Sequence, residues 1–204
     1  MSHFTVLVVT DIAPTDSVLD EVLAPFVEQV DRGDQYAVWN DCTDEVTKGW
    51  MGWPDYDYDE TLQPKPEYAT FKEYATTWRG YKQNAAGRWG HWHNPNAKWD
   101  GYNLGGAWAG SLKLKKGAVG ITGWGETPPN QFDAAKVSDL VTDLATEPQF
   151  ALLTANGKWH ERGKMGWFGT ASNEQTPEQW SAEYAKCVAD IKPEQWVAIV
   201  DCHI

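Results

Sequence analysis

The chain opens on an apolar run. Residues 3–10, His-Phe-Thr-Val-Leu-Val-Val-Thr, are rich in β-branched side chains and predict a buried strand. Val18, Leu19, Val22 and Leu23 then recur at helical spacing behind Asp16, a good N-cap. Pro25 ends or kinks that helix, or starts a second turn through Val30. Gln35-Tyr-Ala-Val-Trp39 reads as a short second strand, and residues 41–63 as a long irregular segment. Tyr68, Phe71, Ala75 and Trp78 predict a helix over about 66–80, with Pro66 at its start. Residues 106–115 read as a strand with Trp108 and Leu112 on one face, followed by a glycine-rich turn at 117–125.

In the second half, Asp133 followed by Val137, Leu140, Val141 and Leu144 predicts another capped helix. Residues 150–162 read as a hairpin turning at Asn156-Gly157, where both central positions favour positive φ. A glycine-rich loop at 163–175 carries Trp167 and Phe168 and is placed to cover a pocket. Thr176-Pro-Glu-Gln179 is a capping box with proline at the first helical position, opening a helix that buries Trp180, Tyr184, Cys187, Val188 and Ile191. Residues 196–204 close the chain as a buried strand.

Helices separated by antiparallel strands predict an α+β fold, a mainly antiparallel sheet with helices chiefly on one face. The expected topology is a ferredoxin-like βαββαβ core, in a single domain over 1–204 with residues 41–110 as a Trp-rich insertion.

Charge narrows the partners. Twenty-nine acidic against 17 basic residues give a net charge of −12, which argues against duplex nucleic acid and against an anionic membrane surface. Three scattered cysteines (Cys42, Cys187, Cys202) with no CxxC pair fit a reducing cytoplasm. No basic region precedes the first apolar run, so it is read as a strand and not a signal peptide, and no apolar run has membrane-spanning length. Asp55-Tyr-Asp-Tyr-Asp-Glu60 resembles the start of a calcium loop. It places Glu60 and Pro66 where an EF-hand needs Gly and Glu, so it reads as a solvated acidic face.

Tryptophan is the outlier: 13 in all, eight of them between residues 50 and 124. The stretch 94–114 sets Trp99, Tyr102 and Trp108 among glycines that permit close backbone approach. From Thr76 to Trp99 there is no acidic residue, and Arg79, Lys82, Arg88 and Lys98 alternate with aromatics. Cations interleaved with indoles hold phosphate and stack a base. The expected ligand site is therefore Arg79, Lys82, Arg88, Trp89, Trp92, Lys98, Trp99, Tyr102 and Trp108, with no cofactor. The alternative is that the indoles form a core and the cations offset the acidic segment by surface ion pairs.

Two histidine clusters carry other chemistry. His3 starts the first strand and His203 ends the last; antiparallel pairing brings them together, with Asp201 on the face of His203. His3-Phe-Thr5 resembles one His-x-Thr element of the 2H phosphoesterases, which use two such elements for acid–base cleavage; the second element is missing. His91-Trp-His93 could share a metal with a third ligand such as Asp100, His160 or His203, although no metal is expected. No P-loop, nucleophile elbow, dinucleotide fingerprint or HExxH is present.

Lys98-Trp-Asp-x-Tyr-x-x-Gly-Gly-x-Trp108, Gly163-Lys-Met-Gly-Trp-Phe-Gly169 and the ending Val200-Asp-Cys-His-Ile204 together resemble a Trp-rich protein family of bacteriophages and bacteria. That resemblance spans most of the chain and implies no particular chemistry. It implies a phage accessory role, such as sequestering a nucleotide signal of host defence. The leading expectation is thus a cytoplasmic nucleotide-capturing protein. Its rivals are a phosphoesterase-like hydrolase using His3, His203 and Asp201, and an acidic protein that occludes a host nucleic-acid-binding enzyme.

Overall fold

The structure is a computed structural model that describes residues 2–50, 68 and 70–204. It is α+β, with mainly antiparallel sheets. The elements used below are β1 (His3–Thr10), α1 (Asp16–Leu23), β2 (Val38–Asp41), α2 (Thr43–Trp50), β3 (Lys82–Gln83), β4 (Trp89–His93), β5 (Gly101–Leu104), β6 (Ala134–Lys136), β7 (Ala151–Leu153), β8 (Trp159–Glu161), α3 (Pro177–Ala189) and β9 (Trp196–His203). The chain folds as two compact units, Met1–Glu28 with Asn96–Ile204, and Gln29–Pro95.

The first unit is built on β1. All of its residues after His3 are buried, so both faces of the strand need a covering layer. It pairs antiparallel with β9 over its whole length and parallel with β7, giving the order β8-β7-β1-β9-β5 with β6 also on β9. On one face Phe4, Val6 and Val8 pack with Ala198, Val200 and Cys202 under Leu19 and Leu23 of α1. On the other, Leu7 and Val9 pack with Val197 and Ile199 under Trp180 and Tyr184 of α3. The helices therefore cover opposite faces, not chiefly one. Each fully buried Val or Leu contributes about 1.5–3 kcal/mol of transfer free energy.

The ferredoxin-like order is not formed. That order sets the second strand of the central hairpin beside the first strand of the chain, with every neighbour antiparallel. Here β7, the first hairpin strand, takes that place and runs parallel to β1. Beyond β9, β5 pairs with residues 200–203 and β6 with 196–198, so two short strands share one edge end to end.

Residues 134–144 do not form the expected α-helix. Ala134–Lys136 completes the edge of β9, a 3-10 turn follows at Val137–Asp139, and Leu140 and Leu144 reach the core while Val141 stays exposed. The free edge of a buried strand outweighed local periodicity. Residues 106–115 likewise give a 3-10 turn, Gly106–Trp108, and the short strand Leu112–Lys113. Helix α1 is preceded by Thr15 as N-cap, with Asp16 in its first turn, and Pro25 sits in the 3-10 turn Ala24–Phe26. The capping box on α3 is complete: Thr176 Oγ accepts from Gln179 N–H and Gln179 Oε1 accepts from Thr176 N–H.

In the second unit, β2, β4 and β3 form a small antiparallel sheet. Part of the segment read as irregular is helix α2, and its Val46 packs with Tyr74, Ala75 and Trp89. The helix expected over 66–80 is an α-turn, Phe71–Glu73, capped by Thr70 and continuing as a π-turn, Tyr74–Trp78. The acidic run 55–60 and residues 66, 67 and 69 lie outside the described residues. Among the described residues, no helix is long and apolar enough to cross a membrane.

The β7–β8 hairpin turns where expected, with different geometry. Only Gly157 has positive φ, +80°. Gly157 N–H donates to Thr154 O, and Thr154 N–H donates to Lys158 O. This is a type I turn closed by a left-handed glycine, not the type I′ turn read from Asn-Gly. Replacing Gly157 by Val should destabilise the protein by roughly 1–2 kcal/mol, because a β-branched residue resists the left-handed region. An unchanged denaturation midpoint would show that the turn is closed differently.

Candidate active site

Strand register builds the site. His3 lies opposite His203 and Thr5 opposite Asp201. Alternation puts all four on the face that further along carries Leu7, Val9, Val197 and Ile199, so the end of this face turns polar. His3 Nδ1 lies 2.9 Å from Asp201 Oδ1, and His203 Nδ1 lies 2.8 Å from Asp100 Oδ1. The two imidazole centroids are 5.4 Å apart, with the rings tilted by 45°. Asp100 is held by its own N–H, which donates to His203 O at 2.9 Å, just before β5 joins β9.

Asp201 is 2% exposed, so its carboxylate needs strong partners. Besides His3, it accepts the Ala107 N–H on Oδ2 at 2.9 Å. The 3-10 turn Gly106–Trp108 delivers that donor. Gly106 has φ +57°, and a Cβ there would lie 2.4 Å from the Asp201 side chain. A Cβ on Gly101 would lie 2.1 Å from His203 Cε1. Glycine at both positions lets backbone approach the site closely.

An ionised carboxylate only accepts, so each Nδ1 is the protonated ring nitrogen and each Nε2 is left for other work. Neither Nε2 has a hydrogen-bond partner among the described residues. The His3 side chain is 45% exposed and that of His203 21%. Thr5 is buried, and its Oγ accepts from Phe150 N–H at 3.2 Å. Cys202 points to the opposite face, where burial first and Asp201 second push its thiol well above the usual range and keep it neutral.

The nine residues expected to hold a nucleotide divide five to four between the two units. In the second unit, Lys82 pairs with Asp31 (3.2 Å) and Arg88 with Asp41 (2.7 Å). Arg79, partly buried, ends the π-turn. Trp89 is buried edge-on to Phe71, and Trp92 stands edge-on to Trp39. In the first unit, Lys98 pairs with Glu161 (2.6 Å), and Trp99 is buried with its N–H on Leu23 O. Tyr102 stands edge-on to Trp99 and donates to Asp20 at 2.6 Å; burial and that carboxylate raise its phenol. Trp108 packs against the core under α3.

His91 and His93 lie with ring centroids 5.8 Å apart. His91 is stacked by Tyr81 and sits 3.8 Å from Cys42 Sγ. Of the third ligands considered, Asp100 and His203 bind each other, and His160 pairs with Glu183 at 3.0 Å. Among the described residues, no group of three or more His, Cys, Asp or Glu side chains is arranged for a metal.

Pairing of the chain's ends made His3, Asp201 and His203 legible in the sequence. Asp100 as orienter of His203 was missed, as was the Ala107 N–H. Their only signal is the flanking glycines at 101 and 105–106. No protein-family model, curated protein or solved structure matches the chain.

Two consequences can be checked. Gly101→Ala should displace the His203 ring from Asp100 and cost roughly 1–3 kcal/mol, the usual range for overpacking. Unchanged imidazole NMR shifts and melting temperature would show that the ring is seated elsewhere. The hydrogen bond from Arg88 first, then that from Thr43 N–H, hold Asp41 down to about 2. A lowered carboxyl favours the fold above its unfolded pKa, and that contribution is lost as pH falls through about 2. In Arg88→Ala the Asp41 midpoint should rise toward the ordinary carboxylate value by NMR titration; no rise would mean the pair does not persist in solution.

Proposed function

We propose that the protein is an acid–base hydrolase of phosphodiesters, working through His3 and His203. The observation that carries this reading is the pair of imidazoles, 5.4 Å apart, each bound through Nδ1 to its own carboxylate. In-line displacement at phosphorus needs a proton removed from the attacking oxygen and a proton given to the leaving oxygen. One neutral imidazole takes the first on Nε2. The other, as imidazolium, gives the second from Nε2. The P–O bond to the attacking oxygen forms as the bond to the leaving oxygen breaks, and solvent returns both imidazoles to their starting charge. Asp201 and Asp100 fix the tautomers and stabilise each imidazolium, so they are positioning residues.

Capture of a nucleotide by the Trp-rich stretch draws less support. Three of its four expected cations, Lys82, Arg88 and Lys98, have carboxylate partners, and Trp89 and Trp99 are buried.

The test is incubation with linear and cyclic dinucleotides, read by chromatography and mass spectrometry. Cleavage is expected, with a bell-shaped pH profile. His3→Ala and His203→Ala should each lower kcat by about 10²–10⁴-fold, the usual contribution of a positioned acid or base. A 4-nitrophenyl diester needs no acid at its leaving group, so one of the two variants should be nearly unimpaired on it. Nucleotide recovered intact with the protein would replace hydrolysis by capture. Equal activity of wild type and both variants would remove the histidines from any reaction.

A further inference from the structure

Beyond the histidine pair, the first unit holds a second feature at the other end of β1. A cavity of about 550 Å³ is lined by residues that include Val9, and Val9 lies six residues along the strand from His3, about 20 Å away. Three lysines line it, from three places in the fold: Lys158 on the β7–β8 hairpin, Lys186 in the last turn of α3, and Lys192 in the loop after it. Val9 and Ile191 supply apolar wall, and Asn156 and His160 supply polar edges.

The charges there are unbalanced. Among the described residues none of the three lysines has a carboxylate within ion-pair distance, whereas Lys82, Arg88, Lys98 and Arg162 each have one. Asp190 is the one carboxylate in the lining. The neighbouring Glu183 is bound by His160 and by Gln175 Nε2, and it attracts Lys158 from beyond ion-pair distance. The hollow thus carries three exposed lysines against one lining carboxylate. Lys186 and Lys192 are near the C-terminus of α3 and complement its dipole. Lys158 belongs to a different element, so the dipole does not account for it. Cys187, also in the lining, is kept as a neutral thiol by burial first and by Glu183 second, so the site binds and does not react through it.

We infer that this cavity binds a small, multiply charged anion of the phosphate-ester or polyphosphate class, held by Lys158, Lys186 and Lys192. Its volume is in the range of small-molecule sites, about 300–1,000 Å³. The ammoniums are point-charge donors, which suit tetrahedral oxyanions without demanding one orientation. The inference is independent of the histidine pair.

The test uses inorganic pyrophosphate at low salt, with calorimetry and thermal denaturation on the full chain. Pyrophosphate should bind and raise the melting temperature of the wild type. Lys186→Gln should weaken binding roughly tenfold, and Lys158→Gln with Lys186→Gln roughly a hundredfold, since one charge-assisted contact corresponds to about a factor of ten or more. Lys113→Gln with Lys116→Gln removes two exposed lysines that are not in the lining, and it should leave affinity unchanged. The inference is overturned if millimolar pyrophosphate gives neither heat nor a thermal shift. It is equally overturned if the Lys113/Lys116 variant loses as much affinity as the Lys158/Lys186 variant, because the anion would then be reading net charge and not this cavity.

Discussion

The first unit depends on a carboxylate with no contact with water. Asp133 is fully buried, and it accepts the Gly110 N–H at 2.6 Å and the Gly123 N–H at 2.7 Å. Its backbone donates to Ile121 O and accepts from Ile199 N–H, so the same residue is stitched to β9. It stands where β5 and β6 meet along that strand, the point at which the edge of the sheet would otherwise be left unpaired. An unpaired carboxylate in this position would cost several kcal/mol, and removing it would orphan two buried donors. The glycine-rich segment after β5 thus folds around fixed negative charge. Gly105 passes so close to Asp133 that a Cβ would lie 2.7 Å from its carboxyl carbon.

Asp201, on β9 itself, repeats the device. It too is buried, and it too takes a backbone N–H from the glycine-rich segment, leaving its other oxygen for His3. One carboxylate anchors the chain, and the other anchors a side chain that is half open to solvent. His3 can meet a substrate only at its Nε2 end, because its Nδ1 end is tied to a buried carboxylate. His203 is tied through Asp100, which is itself held by the His203 carbonyl, a closed loop of contacts between two residues.

The sequence was readable where one residue class answers one local requirement. Continuous burial of β1 and β9, the stripe on α1 and the capping box of α3 each follow from spacing alone. Reading failed where a distant edge decided the outcome. Val137, Leu140, Val141 and Leu144 have helical spacing, yet the preceding residues pair with β9, and Val141 is left 63% exposed. The aromatic stretch misled in another way. Indoles suited to stacking are equally suited to packing, and composition does not tell that the Trp99 N–H meets Leu23 O. Asp100 was invisible as a partner of His203 because nothing in local pattern links residues so far apart.

The pairing of β1 with β9 also sets an order of events in time. His3 leaves the ribosome two hundred residues ahead of His203, yet the two are register partners. Until β9 exists, β1 carries an apolar surface with an open hydrogen-bonding edge, the kind of segment that recruits other chains. Such long-range pairing also makes closure of the sheet slow relative to local helix formation. Nascent chains therefore carry the two imidazole-bearing strands apart until translation reaches the end of β9, and the histidines meet in the same step that shields the sheet.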